Sequence, residues 1–417
     1  MGAARKYGAV GYTYKNHIKI TSSGNCKVAH IMMRRARTCV VLSLALLTIT
    51  SGAAIARPVI QFAGFAYSGA FKNIPNAYPY TDAVNVKTKN GERLLDRALN
   101  QRIRKGRFDG FRLNDASLGR IHSNYPIALA FVLTRENVST EQIGSAYKVV
   151  VTLSAQALLF NEKTKEVTAD YPLGFQYVDL FTKKPTQDTL RNLVRALYLG
   201  HLRTNIFREF VKRLHKVHLQ AHYGNTIRVT DVSIRPLAKS VIPAVHLAGM
   251  KSFMADQFSA DLSVRNRVPV LPYMAGEAIG NAIALRFANG EAFNLVLPKP
   301  DYDVRLTLAG FKKIPYRHGS WGTSWLYGAF VHVVVVEPLS GHVYMNGMVK
   351  QAAIKIVPAS QQTVSNWPAF SETLSNLLDQ LSLAIAHPTH HWARVHMGRG
   401  RDFRQLSAVK KVVHLCR

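Results

Sequence analysis

The chain has 417 residues, 47% of them hydrophobic, with 54 Lys and Arg against 24 Asp and Glu, a formal charge of +30. This is the make-up of a folded body rather than a disordered chain, and it is too long for one ordinary core. Past residue 39 the only cysteine is Cys416, which excludes a disulfide framework in the body.

The first 56 residues carry eight Lys/Arg and no acid. Met32–Arg37 is a positive leader, Cys39–Thr50 an apolar stretch and Ala54-Ile55-Ala56 a small-residue cleavage pattern, so residues 32–56 read as a secretory signal cut before Arg57. Residues 1–31 then reflect a start codon placed too early. The alternative is an uncleaved single-pass anchor over Cys39–Ala56. No cysteine follows the apolar stretch, so no lipid anchor is read there. From Arg57 on, 46 basic residues face 24 acidic ones, a formal charge of +22.

Residues 57–200 read as a first α+β domain. Val59–Phe71 is a strand with alternating aromatics, and Lys72–Tyr80 is a loop punctuated by Pro75 and Pro79. Glu92–Lys105 is a helix with Leu95, Leu99 and Ile103 on one face, ended by Gly106. Asn124–Thr134, Ala146–Phe160 and Glu166–Val178 are strands, the last two joined by a turn at Asn161–Lys165. Thr186–Leu199 is the closing helix. Residues 201–225 form a basic helical connector over Asn205–His222.

Residues 226–386 read as a second α+β domain of the same layout. Thr226–Arg235 is its first strand. Ala275–Ala288 has helical spacing of Ile279, Ala282, Ile283 and Phe287, and Asp301–Ala309 alternates as a half-buried strand. A Gly319–Trp325 loop, a β-branched run Leu326–Glu337, a turn at Pro338–Gly341 and a return over His342–Val357 follow. A helix with Phe370, Leu374, Leu377, Leu378, Leu381 and Ile385 inward closes it. The expected fold class is α+β, two tandem β-α-β-β-β-α two-layer domains related by internal duplication. Residues 387–417, with five His and mostly basic charge, read as a solvated tail.

No residue set identifies a reaction. His215, His218 and His222 fall at helical spacing, but Lys212, Arg213 and Lys216 crowd them with positive charge, so no metal or other cofactor is assigned. His387, His390, His391 and His396 lack an organising geometry. Gly319–Trp325 is not a nucleophile elbow, and the pairs Asp301/Asp303 and Glu136/Glu141 read as strand ends or loops. An enzyme is not expected. The charge points to anionic partners: an envelope protein, or an anionic envelope polymer or lipid, with peripheral membrane contact and without a nucleic-acid motif. Arg203, Arg208, Lys212, Arg213 and Lys216 are the candidate anionic-surface residues, three of them along one ridge of the connector helix.

The order strand, helix, three-strand meander, helix resembles the small periplasmic domains of curli-export and peptidoglycan-synthase-activator lipoproteins and the N-terminal domain of the Tol translocation protein. It departs from them in having two copies and no lipid-anchor cysteine. The resemblance implies a periplasmic or secreted bacterial protein that binds an envelope component without catalysis. The alternative is a hydrolase of an anionic envelope polymer whose carboxylates meet only on folding. No functional residue is carried over from the resemblance.

Overall fold

The computed structural model describes residues 58–417, apart from 70–72, 109, 115–126, 144, 201–204, 218, 220–222, 275–281, 288–289, 321, 359–364 and 399–401. The readings of residues 1–31 and 32–56 as a misplaced start and a signal lie outside these residues. In chain order come β1 (Val59–Ser68), α1 (Ile74–Ala77), α2 (Pro79–Val84), α3 (Leu94–Lys105), β2 (Arg112–Asn114), β3 (Ile127–Ile143), β4 (Ala146–Asn161), β5 (Val167–Phe181), α4 (Gln187–Leu199) and α5 (Ile206–Leu214). They are followed by β6 (Ile227–Ile234), α6 (Pro236–Lys239), α7 (Ala244–Leu247), α8 (Met250–Asn266), β7 (Ala282–Phe287) and β8 (Ala292–Val296). The chain then forms β9 (Tyr302–Gly319), β10 (Gly322–Val336), β11 (Val343–Pro358), α9 (Trp367–Ala386), α10 (His390–His396) and α11 (Asp402–Leu415).

The fold is α+β with two sheets. The first runs β5-β4-β3-β1-β7-β8, with β2 also on β1, and the second β11-β10-β9-β6. In each, the first strand is parallel to the next long one, and two antiparallel strands complete the meander. The irregularities also match. β1 bulges between Phe62 and Gly64 and β6 between Val229 and Asp231; β3 bulges between Leu133 and Arg135 and β9 between Leu308 and Gly310. This is a likeness of topology and register, which is as far as the structure carries the expected duplication.

Each sheet buries one face under helices. In the first half α3, α4 and α5 deliver Leu95, Leu99, Val194, Leu197, Phe207 and Phe210 onto Phe65 and Phe131, whose rings stack at 5.3 Å. Gly64 (φ +95°) makes the bulge possible, and Phe65 N–H donates to Asp96 Oδ1 at 2.8 Å, tying α3 to the bend. The helices start where the sequence supplies caps: Thr186 Oγ1 accepts from Thr189 N–H and Asn205 Oδ1 from Arg208 N–H. In the second half α9 buries Leu374, Leu377, Leu378, Leu381 and Ile385, each worth about 2 kcal/mol.

Several readings are corrected. Lys72–Tyr80 is not a loop throughout, because Pro75 and Pro79 open α1 and α2 instead of breaking structure. Ala282–Phe287, read as part of a helix, is a strand: Leu285 and Phe287 point one way at a period of two and are buried, and Ala66–Ser68 pairs with Leu285–Phe287. The β7–β8 hairpin therefore belongs to the first sheet, and residues 226–386 do not form a self-contained domain. The counterpart of α3 is α8, not Ala275–Ala288. Finally, residues 387–417 are not a solvated tail. Leu406, Val409, Val412 and Val413 form the buried stripe of α11 in the second core, with Cys416, whose thiol burial pushes up to about 12. The Gly319–Trp325 loop is shorter than read, since β10 begins at Gly322; Trp321 lies outside the described residues.

Candidate functional site

The connector residues do not form a row. Arg203 is not described. Arg208 is half-buried close enough to Arg102 to help burial press that guanidinium's pKa down. Lys212 is exposed and pairs with Glu209 at 2.7 Å. Arg213 is buried and cannot reach an external surface: it donates to Ser263 Oγ at 2.5 Å and lies 5.7 Å from the Tyr171 ring. α5 ends at Leu214, so Lys216 is exposed beyond it and off the ridge. The apolar side of α5, Ile206, Phe207 and Phe210, is fully buried in the first core, and this turned the helix inward.

Among the described residues no group of three His, Cys, Asp or Glu could hold a metal. His215 packs on Phe108 at 4.9 Å; His218 and His222 are not described. Two of the C-terminal histidines tie α10 to its neighbours. His390 stacks on Phe403 at 3.8 Å, and His396 lies on Trp392 while its Nδ1 meets the Lys350 carbonyl at 3.0 Å. The carboxylate pairs separate. Asp301 Oδ2 accepts from Thr226 N–H at 2.7 Å, pinning the start of β6, and Glu136 accepts from Tyr80 and Thr81 N–H at 2.8 Å each, holding α2.

A second polar group lies where α8 meets the first half. Arg135 pairs with Asp256 of α8, and the Asp170 carboxyl of β5 is fully buried, which drives its pKa well above the usual carboxylate range. Burial lowers Arg213 to about 10. These groups sit between packed layers.

The arrangement open to a ligand is a cleft of about 240 Å³ where the C-terminal ends of α8, α9 and α11 converge, lined by Arg265, Asn266, Arg267, His387, Lys410, His414 and Arg417. Carbonyl ends of helices carry partial negative charge, which accounts for some of the cations. Two are also held by partners: Arg265 grips Asp379 with two bonds of 2.8 Å, and Arg417 donates to the Asn266 carbonyl at 2.9 and 3.2 Å. Arg267 and Lys410 are exposed, and neither has an ion-pair partner among the described residues. Arg267 ends α8 in the left-handed conformation (φ 57°), where glycine is the usual occupant. The backbone thus accepts about 1 kcal/mol of strain to place a guanidinium at this lip. No Asp or Glu side chain lines the cleft. Sequence reading placed basic charge in residues 387–417 but missed Arg265 and Arg267, because no periodicity marks α8 and its C-terminus carries no glycine.

Among the described residues no helix is long and apolar enough to cross a membrane. No protein-family model and no curated protein matches the chain. Solved structures similar to parts of it include a minor lipoprotein from Acinetobacter baumannii (11% identity, 41% of this chain and 94% of that one, TM-score 0.20). A hypothetical protein from Chlamydia trachomatis shares 14% identity over 38% of this chain and 96% of its own, with a TM-score of 0.23. A neuraminyllactose-binding hemagglutinin homolog from Helicobacter pylori shares 10% identity over 44% and 90%, with a TM-score of 0.22. This is a weak, fold-level resemblance to proteins that include envelope ones, and it assigns no activity to this chain.

Proposed function

We propose that this protein is a non-enzymatic component of the bacterial envelope that holds a phosphate-bearing ligand in the basic cleft. The observation that carries the reading is the cleft lining itself, with four Arg/Lys and two His and no Asp or Glu side chain. Guanidinium forks suit phosphate oxygens, and two of the cations have no ion partner among the described residues. The envelope location is supported by the signal pattern of residues 32–56, and the formal charge of +22 after it suits anionic surroundings.

The competing reading, a hydrolase of an anionic polymer, needs two carboxyl groups facing a cleft about 5–10 Å apart. Asp170 instead sits fully buried between packed layers, so binding is the better-supported function. Calorimetric titration with pyrophosphate tests it. The wild-type protein binds at about 0.1 M salt and loses most of its affinity near 1 M, where the screening length falls from about 10 Å to about 3 Å. Arg267→Glu with Lys410→Glu weakens binding at least about thirtyfold, taking each contact as about 1 kcal/mol and adding the repulsion. Affinity indifferent to both salt and the double substitution refutes the cleft.

A further inference from the structure

The two sheets differ in what lies behind them. The reverse face of the first is closed by the β7–β8 hairpin, whose Leu285, Phe287 and Leu295 meet Ala66, Ala128, Ala130, Val132, Leu158 and Phe160. The reverse face of the second has no such hairpin over it among the described residues; α6 reaches it only with Leu237, at Gly310. Its cross-strand register sets Ile314, Leu326 and Ile354 side by side, with Arg317, Ser324 and Ile356 in the next row and Lys312, Gly328 and Ala352 in the row before. Ile314, Ile354 and Ile356 are 38%, 50% and 62% exposed, and Tyr316, at the bulge between the Ile314 and Arg317 rows, is 65% exposed.

This end of the sheet also projects. From Ile314 to Gly319 every residue of β9 is exposed, although alternate residues of a packed strand should be covered. The cations Lys312 and Arg317 stand in the rows on either side of the aliphatic one, Lys350 stands one row farther on, and all three are exposed. The acids on the same face, Asp231 and Asp303, lie at its far end beside Arg305.

The geometry points to this projecting end as a docking surface for an anionic lipid bilayer. Isoleucines and a tyrosine at a sheet tip enter the boundary between headgroups and acyl chains, while Lys and Arg around them meet lipid phosphates. A second copy of this chain fits less well, since two like-charged rims would oppose each other across the contact. The inference is independent of the cleft, which lies where three helices end rather than on the open sheet face.

Vesicle co-sedimentation of the full chain tests it, with phosphatidylcholine vesicles alone or with about 30% phosphatidylglycerol at about 0.1 M salt. The protein should bind the acidic vesicles at least about tenfold more tightly than the neutral ones. Ile354→Ser with Ile356→Ser, and separately Lys312→Gln with Arg317→Gln, should each weaken that binding about tenfold or more. These side chains are exposed, so an unchanged melting temperature certifies both variants as folded. Arg267→Glu with Lys410→Glu should leave vesicle binding within about threefold. Absence of vesicle binding overturns the inference, as does binding untouched by both tip variants. Loss confined to the cleft variant overturns it too, by showing headgroup capture at the other site. A tip that binds an acidic protein while ignoring acidic vesicles likewise assigns the surface to a protein partner.

Discussion

Asp261 offers a test of how deeply α8 is buried beside α9. It lies on α8, where its carboxyl accepts from Gln257 Nε2 at 3.0 Å, and burial, against that bond, pushes its pKa from 3.8 up to about 7. An unfolded aspartate ionises near pH 4, so between pH 4 and about 7 the unfolded chain has released a proton that the folded chain keeps. Stability from this residue is therefore complete below pH 4, falls as pH rises and reaches its minimum above about 8. Three pH units at about 1.4 kcal/mol each set an upper bound near 4 kcal/mol. The side chain is only half-buried by surface area, so about 2 kcal/mol is the expectation. Asp261→Asn mimics the neutral form and should leave urea stability at pH 4 unchanged while raising it by about 2 kcal/mol at pH 8. With a urea slope of about 3 kcal/mol/M, that is about 0.7 M in midpoint. Parallel wild-type and variant stabilities across this pH range would refute the buried, protonated acid.

Two further outcomes check other parts of the fold. Gly64→Ala should cost at least about 2 kcal/mol in urea unfolding, because the new Cβ falls 2.5 Å from Asp96 Oδ1 at φ +95°, while Gly174→Ala on the edge strand, with nothing within 4 Å, should stay within about 0.5 kcal/mol. Ending the chain after Met397 should leave it insoluble or strongly destabilised, because the second core loses Leu406, Val409, Val412 and Val413; unchanged solubility and melting would restore the solvated-tail reading.

Long strands and strongly amphipathic helices were legible in the sequence. Ala146–Asn161 and Val343–Pro358 match their expected spans to within about a residue or two, and α4 and α9 carry apolar stripes that face one core. α8 was not legible. It packs on α9 and β6 on one side and on β5 on another, so Met254, Phe258 and Leu262 share the buried surface with Ser259, Ser263 and Asn266, and no single apolar stripe appears. β7 was misread because a six-residue apolar segment fits both periods, and only its partner Ala66–Ser68, more than two hundred residues earlier, decides between them. The cleft stayed hidden for a related reason. Arg265, His387 and Lys410 come from three separate helices, and nothing local to any one of them announces the meeting. Residues 387–417 were misread because their charge hid an i, i+3, i+6, i+7 stripe at Leu406, Val409, Val412 and Val413.

The late position of the β7–β8 hairpin bears on how the polypeptide matures. A chain growing from its N-terminus can pair β1, β3, β4 and β5 and lay α3 and α4 on them as soon as residue 199 has emerged. The opposite side, with Val132, Leu158 and Phe160, stays wet until Leu285, Phe287, Leu295 and Leu297 arrive about a hundred residues later. By then β6 and α8 have already been made, so the early half is completed from within the late one. Severing the polypeptide between α5 and β6 would not release two finished bodies. The upstream fragment would present a greasy surface suited to aggregation or chaperone capture, and the downstream fragment would carry an orphan hairpin with no edge to join.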